Sequence, residues 1–192
     1  MLNKNNIFHD LIVEVRALTE SHDPSLLFDE LHTDSLDGEY HFTTSRKTLS
    51  MMSRVIEDSL KLHKNRCTLY SGFQELSRFK EHSERYAKLA GYADQIFVIG
   101  IADSPIDKIA DNVHILTNNA DIIRENWISI IKNHNIHITL IAQELPSQKQ
   151  HGGYVGFYTN SKSLTEKALT ILNEKNILSD ATISGKQTYF NF

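Results

Sequence analysis

The sequence predicts an α/β chain of the mixed α+β kind: a central mixed β-sheet with a βαβ crossover and a hairpin, flanking helices, and an N-terminal helical appendage. Three observations carry this expectation. A β-rich run at residues 67–73 is followed by a helix-period stretch at 75–90. Next comes the near-continuous apolar run Ile96-Phe97-Val98-Ile99-Gly100-Ile101. Strand, helix, strand implies two parallel strands joined by a right-handed crossover. Beyond it the pattern turns to strands with short connections, and residues 127–132 and 136–143 read as a hairpin. Asn133 and Asn135 suit positive φ in its turn.

Each element has its own cause. Ile7, Phe8, Leu11, Ile12, Val15 and Leu18 recur at helical spacing and predict an amphipathic helix over residues 4–19. Asp23-Pro24 reads as an N-cap and first-turn proline, opening a second helix to about residue 32. Residues 33–44, with Asp34, Asp37 and Gly38, read as a connection. Thr44 or Ser45 caps a helix over 46–64 whose Leu49, Met52, Val55, Ile56 and Leu60 share one face. In the helix at 75–90, Leu76, Phe79, Ser83, Tyr86 and Ala90 form the stripe, and Gly91 ends it. The apolar run at 95–102 suits a strand covered on both faces. A short strand at 113–117 and a helical turn at 121–125 precede the hairpin. Residues 146–153 are a loop and 154–159 a strand, and Ser161 or Ser163 caps a last helix to about residue 175. The expected division is an N-terminal helical extension at 1–44, a main domain at 45–176 and a tail at 177–192 packed on the domain.

Composition narrows the function classes. A chain of 192 residues has room for one ordinary domain. With 40% hydrophobic and 23% charged residues and three prolines, it is neither collagenous nor low-complexity, and it can build a core. Cys67, the single cysteine, excludes an internal disulfide framework and a multi-cysteine zinc site. No apolar run approaches the roughly 18–20 residues of a membrane span. The apolar stretch at 7–18 is broken by Asp10, Glu14 and Arg16, unlike a signal peptide. A cytoplasmic location with no membrane partner is the expectation.

The net charge of −4 hides an asymmetry. Residues 1–44 hold two basic and nine acidic side chains, −7, whereas the other 148 hold 18 against 15, +3. Residues 45–90 supply most of that excess, with ten basic and five acidic side chains. No Lys/Arg cluster is dense or interleaved with stacking aromatics, so nucleic acid is not the expected partner.

The best-placed chemistry is Ser71-Gly72-Phe73-Gln74, where the first strand of the crossover meets its helix. Ligands in open α/β sheets sit outside the carboxyl ends of strands, and a helix start there offers free N–H groups. Gly72 permits close backbone approach, Gln74 both donates and accepts, and Arg78 adds a bidentate charge one turn on. A turn glycine, a cap and a surface arginine are the plainer reading of the same residues. Glu144, at a strand end, is the carboxylate expected to be partly buried, and it could pair with Arg78. Trp127, Phe73, Phe79, Tyr86, Phe157 and Tyr158 are candidates for an apolar cavity or for core. His63 with Cys67 and His134 with His137 lack regular zinc-ligand spacing, so no metal or other cofactor is expected. No nucleophile signature or phosphate-binding glycine loop is present, and no catalytic residue is assigned.

The order of these pieces resembles the DICT family of sensory domains, associated with diguanylate cyclases and two-component systems. The resemblance runs over residues 45–175, through Ser53 and Glu57, Gly72-Phe73-Gln74, Ser77-Arg78-Phe79 and Tyr86-x-x-Leu89-Ala90. It continues through Val98-Ile99-Gly100, Trp127, Leu140-Ile141-Ala142-Gln143-Glu144 and Gly156-Phe157. It implies a non-enzymatic α/β signal-input domain, in a family whose members are commonly fused to a cyclase, a kinase or a helix-turn-helix. Here Ile128 stands where many relatives place an aromatic. No output domain is recognised, so the signal is expected to pass to a separate protein. The expectation is therefore a stand-alone sensory module binding a small molecule or a regulatory protein partner. Its ligand-binding residues are Gly72, Phe73, Gln74, Arg78, Trp127 and Glu144, and the N-terminal helix serves as output or homodimer element. An adaptor that binds a protein and no small molecule is the alternative, with an enzyme ranked behind both.

Overall fold

The structure, a computed structural model, describes residues 39–62, 66–117, 121–144 and 153–178. The helices expected at 4–19 and 23–32, and the tail beyond residue 178, lie outside the described residues. Seven strands form one sheet: β1 (Glu39–Ser45), β2 (Cys67–Glu75), β3 (Ala93–Ile101), β4 (Val113–Thr117), β5 (Asn126–Lys132), β6 (His137–Glu144) and β7 (Gly153–Thr159). Their order is β1-β7-β6-β5-β2-β3-β4. Strands β2, β3 and β4 run parallel, while β2–β5, β5–β6, β6–β7 and β7–β1 are antiparallel. The expected crossover and hairpin are the two halves of this mixed sheet.

Among the described residues five α-helices flank it: α1 (Arg46–Asp58), α2 (Leu76–Lys80), α3 (Ser83–Ala90), α4 (Asp121–Glu125) and α5 (Lys162–Glu174). The strand period of two divides the apolar side chains between faces. On one face Leu49, Met52, Ile56, Phe79 and Tyr86 cover Leu69, Ile96, Val98 and Ile131. On the other, Leu169 and Leu172 of α5 cover Ile130, Ile141 and Phe157. Ser45 caps α1, accepting from the Thr48 N–H at 3.2 Å, and Ser161 caps α5.

Four local expectations are corrected. Residues 39–44, read as connection, belong to edge strand β1, because pairing with all of β7 outweighs a sequence with little alternation. The helix at 46–64 ends at Asp58 and tightens into a 3-10 turn, Ser59–Leu62, where Ser59 Oγ donates to the Ile56 carbonyl at 2.6 Å. The helix at 75–90 breaks at Glu81-His82, and Ser83 Oγ takes the Lys80 carbonyl at 2.9 Å. Neither hairpin asparagine has positive φ. Instead Asn133 Oδ1 accepts from the N–H groups of Asn135 and Ile136, both at 2.8 Å, so its side chain closes the turn.

Candidate functional site

Helix α1, the α2–α3 pair and the carboxyl end of β2 enclose a cleft of about 240 Å³. The α1 wall exists because Ser53 and Glu57 interrupt an otherwise apolar stripe and are both 4% exposed. A polar pair held that deep must be hydrogen-bonded. Ser53 Oγ accepts from Trp127 Nε1 at 2.6 Å. Glu57 Oε1 lies 2.8 Å from Tyr86 Oη and 3.3 Å from Ser71 Oγ, and these two hydroxyls are 2.6 Å apart. Two hydroxyl protons therefore serve three clustered oxygens. The other carboxylate oxygen receives Arg85 Nη1, while Arg85 Nη2 reaches Asp58 Oδ1 at 3.1 Å and the Arg54 carbonyl at 3.3 Å.

The electrostatics follow from that burial. Desolvation, reinforced by the Glu57 charge, pushes the Tyr86 phenol well above its ordinary pKa, so it stays a neutral donor. Burial disfavours the Arg85 cation, but Glu57 and then Asp58 outweigh it and raise its pKa further. Arg85 is a fixed positive charge.

The floor is irregular for a visible reason. Pairing of β2 with β3 slips between Gly72 and Glu75, and Gln74 in that slip has φ 61°. Left-handed backbone at a non-glycine residue is strained and persists only where its surroundings hold it. Here the side chain supplies the hold. Gln74 is 3% exposed, donates from Nε2 to the Arg124 carbonyl at 2.8 Å, and accepts from Arg78 Nη1. Half-buried Phe73 meets Phe79 and Tyr86 edge-on, with ring centroids 5.1 and 5.5 Å apart.

Of the residues singled out from sequence, Gly72, Phe73, Gln74, Arg78 and Trp127 line this cleft, and Glu144 does not. Glu144 ends β6 opposite Tyr154, and Arg78 Nε pairs with Glu75 Oε2 at 3.2 Å instead of with Glu144. Nor is the helix start free, because Asp103 Oδ1 accepts from the Ser77 N–H at 2.8 Å. The Ser77 hydroxyl and then that backbone bond hold the Asp103 carboxyl below its usual pKa. Gly72 makes room for β5: a Cβ there would stand 3.0 Å from Ile128 Cβ. Ile128 packs in the α5-side core and does not itself line the cleft.

Tyr86, a candidate for cavity or core, lines the cleft; so do Ser53 and Glu57, which only the family resemblance brings out, and Arg46, Arg54, His82 and Arg85, which no motif singles out. The available signal was Ser53 and Glu57, four apart, next to the apolar row Leu49, Met52, Ile56, Leu60. Elsewhere, burial raises the Cys67 thiol pKa against the pull of a 3.1 Å hydrogen bond from Asn133. Among the described residues no group of three His, Cys, Asp or Glu could hold a metal ion, and no helix is long and apolar enough to cross a membrane.

No curated protein matches the chain. A solved structure of TrmBL2, described as an archaeal chromatin protein with a novel mode of DNA binding, is similar over 86% of this chain at 11% identity and a TM-score of 0.49. The similarity takes in 61% of that protein, so the chain spans less than two thirds of its length. Residues 25–145, more than half of the sequence, match DICT, the sensory domain in diguanylate cyclases and two-component systems. The chain belongs to the DICT family of sensory domains.

Proposed function

We propose that this chain senses a signal by binding a small ligand in the cleft between α1 and α2–α3, without catalysis, and hands the change to a separate output protein. The observation that carries this reading is the combination at the end of β2. A strained Gln74 is held by two side-chain hydrogen bonds beside a buried, fully partnered carboxylate. Strain and buried charge together mark a place that the rest of the fold maintains at a cost. A ligand shifts such a domain between states only through a difference in affinity for them. Helix α1 and the α2–α3 pair, facing one another across the cleft, supply two walls whose spacing a ligand can bias. The segment preceding β1 would then carry the output, by docking or dimerisation.

Thermal shift with metabolite fractions from the protein's own host tests this reading. A fraction that stabilises the wild type should lose its effect on Arg78→Ala and Gln74→Ala. Equal stabilisation of all three proteins would remove the ligand from this cleft.

A further inference from the structure

Resting on that reading of the cleft, we infer that its ligand is a small organic oxyanion carrying a flat ring, held between arginines on the two helical walls. On α1, Arg46, Ser50 and Arg54 are spaced by four and line the cleft along one helix face. Across from them, Arg78, His82 and Arg85 line the α2–α3 wall. The carboxylates in the lining are Glu57 and Glu81, so four arginines face two acids, a surplus of +2 with His82 neutral.

Partner accounting sharpens the charge argument. Arg85 is taken up by Glu57 and Asp58, and Arg78 by Glu75 and Gln74. Arg46 and Arg54 form no ion pair among the described residues, so their guanidinium groups are available to a ligand. Ser53 adds another donor. Its oxygen accepts from Trp127, which leaves its own proton without an acceptor among the described residues. Of the two acids, Glu57 is taken up by Arg85 and Glu81 forms no ion pair among the described residues, so donors still outnumber free acceptors; such a cleft suits a ligand made of acceptors, and arginine pairs oxyanions bidentately. The flat ring follows from Phe73 and Trp127, both half-buried in the lining. The size follows from about 240 Å³, below the roughly 300–1,000 Å³ of pockets for drug-sized ligands. One ring with one charged group fits that space; a dinucleotide does not.

The test uses two matched pairs of probes, phenyl phosphate with benzyl alcohol and benzoate with benzamide, on the full chain. Binding is followed by the indole N–H signal of Trp127, the only tryptophan. Arg46→Gln and Arg54→Gln are the variants, both at exposed positions, and the Arg54 backbone carbonyl still receives Arg85 in the second. We expect both anions to bind saturably and more weakly as salt rises. The neutral partner of each pair should bind at least about tenfold more weakly, and each substitution should weaken anion binding about tenfold, the factor for one charge-assisted hydrogen bond. Absence of binding by both anions overturns the inference. So does equal affinity for neutral and charged partners, or anion affinity unchanged in both variants. The ligand-in-cleft reading fails separately, if the stabilising host fraction acts equally on Arg78→Ala and Gln74→Ala.

Discussion

Replacing Glu57 by glutamine keeps the shape of the buried side chain and removes its charge. The amide oxygen can still accept from Tyr86 and Ser71. The amide nitrogen is a donor facing Arg85, itself a donor, so the ion pair is lost. Breaking a buried pair by removing one partner costs about 3–5 kcal/mol. Arg85 remains 25% exposed and keeps Asp58 at 3.1 Å, which places the loss nearer about 2–3 kcal/mol. For a chain of this size that is roughly 4–12 °C in Tm. Tyr86→Phe, which deletes one hydroxyl and leaves Glu57 with Arg85, should cost about 1–1.5 kcal/mol. Urea unfolding followed by far-UV circular dichroism measures both. In the cycle with Arg85→Gln, the second substitution should add little to the first. A Glu57→Gln protein within about 0.5 kcal/mol of wild type would refute the claim that this carboxylate organises the helix–helix junction.

Three other outcomes are expected. At Gln74, both glycine and alanine lose the bonds to Arg124 and Arg78, but only glycine relieves φ 61°. Gln74→Ala should therefore unfold about 1 kcal/mol more easily than Gln74→Gly, and equal urea midpoints would remove the strain argument. At Gly156 an added Cβ would lie 2.6 Å from Phe42 Cζ and 2.7 Å from Ala142 Cβ, so Gly156→Ala should cost about 1–3 kcal/mol and loosen β1; unchanged amide exchange in β1 would contradict this. Burial lowers the His137 pKa from 6.5, outweighing the attraction of Glu166 and helped by Lys162 and Lys132. Below pH 6.5 the unfolded chain then takes up a proton that the folded one resists, so stability falls as pH falls toward the lowered value. His137→Gln should flatten that slope, and identical pH profiles would exclude the effect.

The main-domain layout was legible because its signals are local and periodic: the apolar run of β3, the stripe of α1, and the hairpin at Asn133 to Asn135. What escaped was set by partners distant in sequence. Gly72 lines the cleft, but the close approach that requires a glycine there is to Ile128 on the neighbouring strand. The N–H of Ser77 looked open until Asp103, 26 residues on, proved to cap it. Strand β1 carries no strong apolar alternation and exists through its pairing with β7. The break between α2 and α3 is invisible to periodicity, because Phe79 and Tyr86 stay on one face across it. The cleft was half-legible: Phe73, Gln74 and Arg78 follow from the strand-to-helix junction, whereas Arg46, Arg54 and Arg85 enter through helix packing.

The most direct measurement is a titration of the Trp127 indole signal with the host fraction that stabilises the protein. Trp127 is the single tryptophan, and its Nε1–H bonds Ser53 Oγ at 2.6 Å in the cleft wall. Binding in the cleft should shift that resonance saturably in the wild type and leave it unmoved in Arg78→Ala and Gln74→Ala. A fraction that raises Tm while the Trp127 signal stays still would place the ligand elsewhere and contradict the account.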